Sequence, residues 1–385
     1  MPLLWVILHF LAAGVLMALV NAIGLGSWRR SVRAHWTERA RLLWPVRATA
    51  GLCTFLLPVF FLLLHEYWEP LSGSMMFAVG LAGFLGALLG GYPMQREMFP
   101  GLNFQRWVHQ VVAVWGILFS VWILFFTAMI FMPAHAGWGM VLVAGGYLGF
   151  HVLMQWGLFR WFLRRIKFLR PAAQRLQAIV AGAAARMNVK VRATWQLSGV
   201  LANVLALPIT RELVFTDRLL DVCSDEEIAA ICAHELAHLT ESKRVLVGRL
   251  LGSLVVFPLV FNNPVLQSLG IAGVGGLFLG MWLIQKAARR LSLRMEKRAD
   301  AMAFQEQAKE GVYARALEQL YRANQMPAVN AKNKQTHPHL YDRLVAAGVA
   351  PDYPRPAKPR RMTWVGWVVA LACLVVLLAA WVHRG

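Results

Sequence analysis

Eight stretches of this sequence stay apolar long enough to decide its class: 3–24, 44–64, 74–92, 107–131, 138–159, 247–265, 266–285 and 363–382. A helix needs roughly 20 such residues to cross a hydrocarbon layer. Inside that layer, with no water to bond, a backbone can satisfy its polar groups only as a helix or a closed barrel. The expected fold is therefore mainly α: a polytopic helical membrane protein of about eight spans, with only "FNNP" dividing the pair at 247–285. Charged residues make up 15% of the chain, well below the roughly 25% usual in soluble domains. Residues 1–26 have no basic leader and no small-residue cleavage site, so they read as a retained first span rather than a signal peptide.

A formal net charge of +20 invites a nucleic-acid reading. Position argues against it, because the cations gather in "SWRRSVRAHWTERAR" (27–41), "RWFLRRIKFLR" (160–170), "QKAARRLSLRMEKR" (285–298) and "RPAKPRR" (355–361), all flanking apolar runs. The loops "HEYWEPLSGS" (65–74), "MPAHAG" (132–137) and "FNNP" (261–264) hold no Lys or Arg. The positive-inside rule then places 160–246 and 286–362 in the cytoplasm and both termini outside, with the bilayer, and no nucleic acid, as partner. Anionic-lipid contact is a further role open to the basic flanks. The four cysteines are isolated, which leaves no disulfide framework and no cysteine metal site.

The chain accordingly divides into a five-span membrane domain (1–160), a first polar piece (161–246), a two-span hairpin (247–285), a second polar piece (286–350), a Pro-rich linker (351–362) and a final span with its tail (363–385). Each polar piece is short for a core of its own, so the two are expected to form one small α+β lobe at the membrane surface. Helical spacing marks 170–188, and β-branched residues with turns at Ser198-Gly199 and Pro208 mark two or three strands in 189–216. Ser224 and Glu227 form a capping box that starts a helix near 225.

On that helix lies "HELAH". His234 and His238 stand one turn apart, so two imidazoles can converge on one ion, and Glu235 beside them is placed to take a proton from water held there. The plainer reading is a pair of histidines satisfied within a helix. A catalytic zinc wants a third ligand, and "RMEKRADAMAFQEQA" (294–308) offers Glu296, with Asp300 one turn on to accept a ring N–H. Alone, these two would be an ordinary charged helix face. Joined to the upstream motif, they complete a His, His, Glu set with one open position.

Taken together, "HELAH", Glu296 to Asp300 ("EKRAD"), "ELVFTDRLLDVCSDEEIAAIC" (212–232) and "THPHLYDR" (336–343) resemble the integral-membrane zinc metallopeptidases (gluzincins) that include the CAAX prenyl proteases and HtpX-type heat-shock proteases. The likeness covers roughly 170–350, and the span layout is closer to the CAAX type. It implies one zinc per chain on His234, His238 and Glu296, and Glu235 as general base. It also implies an oxyanion-stabilising role for His337 and substrate contact at Arg343. In "LANVLA" (201–206) it implies an edge strand that grips substrate backbone near Asn203, although Val204 replaces the usual Ala.

The expected activity is zinc-dependent endopeptidase cleavage of polypeptides in or at the membrane, for quality control or CAAX-type processing, with a bacterial inner membrane as the expected location. A transporter or channel would need charged pairs within its spans, and these are scarce. A non-cleaving peptidase-like scaffold would need a broken motif, and every position is intact.

Overall fold

The computed structural model describes residues 2–68, 72–135, 137–331 and 339–384. It is mainly helical with one small sheet. Among the described residues, five helices are long and apolar enough to cross a membrane: Leu3–Arg30, Trp36–His65, Met75–Met98, Trp138–Trp156 and Phe257–Glu306. Phe104–Phe131, of 28 residues, and Trp364–Arg384, whose apolar part is Trp364–Ala380, coincide with two further predicted runs.

The run expected as one span over 247–265 is divided. Helix Lys243–Ser253 has 11 residues, about 16 Å at 1.5 Å per residue and half of what a crossing needs. A 3-10 turn, Phe257–Phe261, follows, and Pro258 within it has no N–H to continue an α-helical ladder. The next helix, Asn262–Glu306, is bent at Gly270, where φ is 60° and ψ −158°, a conformation that side chains rarely adopt.

In the bundle, the first helix (Pro2–Gly24) lies against Gly73–Gly90 so closely that a Cβ on Gly86 or Gly90 would run into the carbonyls of Phe10 and Gly14. Small residues one turn apart are what allow such approach between apolar helices. The last helix returns to the second, with Thr363 bonded to Thr49 at 3.0 Å and Val365 in one core with Leu43, Val46, Cys53 and Leu57.

The lobe is built on a four-stranded sheet of β1 (Leu169–Pro171), β2 (Ala193–Leu197), β3 (Val204–Leu207) and β4 (Glu212–Thr216), in the order β1-β2-β4-β3. Strands β2 to β4 fall where the sequence predicts them. Strand β1 lies in what reads as a basic membrane flank, and its pairing with β2 comes from tertiary context. Strands β2 and β4 run parallel, whereas β3 is antiparallel to β4 and leaves its other edge open. The two polar pieces share one core, with Ala230 and Ala233 packed among Ala303, Tyr313, Leu317 and Leu344.

Candidate metal centre

Helix Asp225–Leu239 begins at the predicted capping box: Ser224 Oγ accepts from Glu227 N at 3.3 Å, and Glu227 Oε2 accepts from Ser224 N at 2.8 Å. It packs against the second half of Asn262–Glu306. Its one-turn spacing turns His234 and His238 towards Glu296 and Asp300, which are themselves one turn apart. His234 Nε2 lies 3.5 Å from Glu296 Oε2, and His238 Nε2 lies 3.8 Å from Glu296 Oε1. Ligand atoms of the three residues lie within 4.8 Å of one another, and all three are buried.

The outer ring nitrogens fix the tautomers. His234 Nδ1 faces Asp300 Oδ1 at 3.1 Å and the Tyr313 hydroxyl at 2.8 Å. His238 Nδ1 faces Glu241 Oε1 at 2.8 Å. Acceptors at both Nδ1 positions hold the protons there and turn both Nε2 atoms towards the Glu296 carboxylate. Two imidazole nitrogens and a carboxylate with one open position are the donor set of a catalytic zinc site. The charge balance agrees. Burial alone would lower the His234 pKa, yet its bonds to Asp300 and Glu296, with the field of Glu235, lift it to about 9. Such a concentration of carboxylates is suited to a cation, so the residues fit the metal that the motif implies.

Glu235 points to the other side. Its Oε2 accepts from Ala206 N at 2.9 Å, which ties it to the open edge of β3. Burial pushes the Glu235 carboxyl above its ordinary range, against the pull of the two histidines, and that favours proton uptake by a general base. On β3, Asn203 bonds β4 through Thr216, its carbonyl accepting from Thr216 N at 3.0 Å and its N–H donating to Thr216 Oγ1 at 2.8 Å. Antiparallel alternation then turns the backbone groups of Val204 and Ala206 away from the sheet. The outward groups that could meet an added strand thus belong to Val204 and to the Ala206 carbonyl, and Asn203 presents an exposed side chain just before them.

Arg343 sits behind the ligands instead of on an open cleft wall. Its Nη2 donates to Asp300 Oδ1 at 2.5 Å and to the Tyr313 hydroxyl at 3.1 Å, with the residue 8% exposed. This corrects the expectation of substrate contact: the guanidinium orients Asp300, which orients His234. His337, with the rest of 332–338, lies outside the described residues. Nearby His339 has a structural bond, its Nδ1 accepting from Asn330 N at 3.0 Å.

Two residues of the site escape the sequence reading. Glu241 stands three positions after His238, a helical spacing that could have revealed it. Tyr313 has no local signal, since a separate helix, Val312–Ala323, delivers it to Asp300 and His234. Burial raises its hydroxyl pKa well above normal, so it stays protonated and donates to Asp300 at 2.8 Å.

No curated protein matches the chain. Residues 171–348 match the sequence model of Peptidase family M48. That segment holds all three candidate ligands, Glu235 and the carboxylates behind the histidines, and the match supports a metallopeptidase of that family.

Proposed function

We propose that the chain is a membrane-embedded zinc endopeptidase that hydrolyses polypeptides in or at the membrane, for quality control or CAAX-type processing. The observation that carries this reading is the convergence of His234 Nε2, His238 Nε2 and the Glu296 carboxylate, with both Nδ1 atoms held by other acceptors. A zinc ion held by these three would polarise a substrate carbonyl and make water easier to ionise.

The rest of the work falls to the chain itself. Glu235 takes the proton from the attacking water at its carboxylate and passes it to the leaving amine. The Ala206 N–H keeps that carboxylate at the edge of β3. Substrate backbone pairs with the outward groups of Val204 and with the carbonyl of Ala206, whose N–H is held by Glu235. Asp300, Tyr313 and Arg343 hold His234 in place, and Glu241 holds His238. His337 is assigned the stabilisation of the tetrahedral oxyanion, and Asn203 lies beside the substrate strand.

The apolar helices and the charge asymmetry of the loops support a cytoplasmic lobe with both termini outside. Single cysteines at exposed positions 190 and 309 should resist an impermeant thiol reagent added from outside, and one at 137 should react. Reaction at 309 would reverse the orientation.

The activity is tested by comparing peptides released from the membrane proteome by the intact chain and by Glu235→Gln, with zinc measured in both. The variant should keep its zinc and release nothing. Equal release by the two would end the peptidase reading.

A further inference from the structure

Three apolar runs begin or end around one cavity. Arg47 lies near the start of the run 44–64, Gln95 just past the end of 74–92, and Gln110 near the start of 107–131. With the basic flanks on the cytoplasmic side, that level is the boundary between head groups and acyl chains. The cavity measures about 260 Å³ and is lined by Arg47, Gly51, Thr54, Gln95, Trp107 and Gln110, among others.

Arg47 enters it as a cation without an anion. Its Nη1 donates to the carbonyls of Asn324 at 2.8 Å and Gln325 at 3.3 Å, and its guanidinium carbon sits 5.8 Å from the centre of the Phe99 ring. Among the described residues no carboxylate pairs with it. Its neighbours Arg29 and Arg41 have their own, in Glu97 and Glu38. A guanidinium held by one nitrogen keeps the rest of its planar fork for a bidentate oxyanion. The Gln110 Oε1 is also buried without a partner, and rotation of that amide presents its NH2 to an anion instead. An unneutralised charge at this depth is costly, which favours an anionic occupant. The wall at Gly51 is open: a Cβ there would meet nothing within 4 Å, so an acyl chain attached to the occupant can leave sideways between the helices.

We propose that the Arg47 cavity is a receptor for a phosphate group, carried by the head of an anionic phospholipid. Basic pockets between membrane helices on the cytoplasmic side are suited to such heads. The site also reaches the edge strand, because the Asn324 side chain bonds Ala202 N at 2.8 Å and Ala202 O at 2.7 Å, just before β3. The inference rests on the membrane setting and not on proteolysis, so it can fail without the peptidase reading failing.

The test uses the full chain in nanodiscs of phosphatidylcholine, of phosphatidylcholine with phosphatidylglycerol, and of phosphatidylcholine with inorganic phosphate added. Native mass spectrometry reads retained lipid, and the thermal midpoint reads stabilisation. Phosphatidylglycerol should be retained over phosphatidylcholine and raise the midpoint. Arg47→Gln should weaken retention roughly tenfold or more, the scale of one charge-assisted hydrogen bond. Gln110→Ala, which leaves the Arg47 bonds to Asn324 and Gln325 in place, should also weaken it and guards against misfolding of the Arg47 variant. Gly51→Leu should block lipid but not phosphate. Equal stabilisation by inorganic phosphate, unchanged by Gly51→Leu, would keep the phosphate receptor and remove the lipid as its source. Phosphatidylglycerol retained by Gln110→Ala and Arg47→Gln as well as by the unaltered chain, or by the unaltered chain no better than phosphatidylcholine, overturns the proposal.

Discussion

The two halves of helix Asn262–Glu306 invert the usual arrangement of a protein. In the first half the greasy side chains are outside: Ile271 is 85% exposed, Leu279 57% and Leu283 51%. In the second half the charged ones are inside, with Glu296 and Asp300 buried among Ala299, Ala303 and the two histidines. Hydropathy alone therefore does not decide burial along this helix. In the proposed function each half is matched to its surroundings, hydrocarbon for the first and a cation with its supporting carboxylates for the second. The first half is expected to tolerate any apolar side chain, and the second to tolerate almost nothing.

The largest effect should come from the ligands. Glu296→Ala, His234→Ala or His238→Ala should each lose the metal, measured by elemental analysis of purified protein, and activity with it. Undiminished zinc in Glu296→Ala would remove that residue from the site and abolish the contrast between the halves. Glu235→Gln should retain zinc while the cleavage rate falls by about 10²- to 10⁴-fold, the usual worth of a positioned acid–base group. Asp300→Asn and Glu241→Ala should weaken zinc by roughly 10- to 100-fold in competition with a chelator, as expected for partners of ligating histidines. Wild-type affinity in both variants would mean that the outer ring nitrogens do not matter. His337→Ala should lower kcat by about 10²- to 10³-fold with KM and zinc little changed. At the small end, Leu279→Val should leave zinc, activity and expression as they are. Leu279→Arg should instead lower membrane insertion, since a central charge costs about 2.5 to 3.5 kcal/mol on insertion scales. Normal insertion of the arginine variant would show that this half does not face lipid.

What the sequence made legible follows the range of the forces involved. Apolar runs and the HExxH spacing are local, and they place His234 and His238 on a capped helix and Glu296 and Asp300 on Asn262–Glu306, where the two histidines and Glu296 come close enough to hold one metal ion. The break at 254–261 was less visible because every residue within it is apolar, although Pro258 marks the place. Arg343 was misplaced for a different reason. Its distance from Asp300 is 43 positions in the sequence and 2.5 Å in space, and no periodicity reports a contact of that separation. Tyr313 is the same case. Glu241 could have been read from its spacing of three positions after His238.

The return of the last helix to the second orders events during synthesis. Thr49, Cys53 and Leu57 leave the ribosome early, yet Thr363 and Val365, which cover that face, come only after the whole metal lobe has been made. Until then the second helix carries an unfilled groove, and the lobe is fastened to the bundle only through its leading end, through helix Asn262–Glu306 and through the bonds of Asn324 and Gln325 to Arg47 and Met98. Insertion of residues 364–384 closes the chain into a loop through the bundle, with the lobe anchored at both ends. A nascent protein stalled before that point would hold all three candidate metal ligands and still leave the groove on the second helix unfilled.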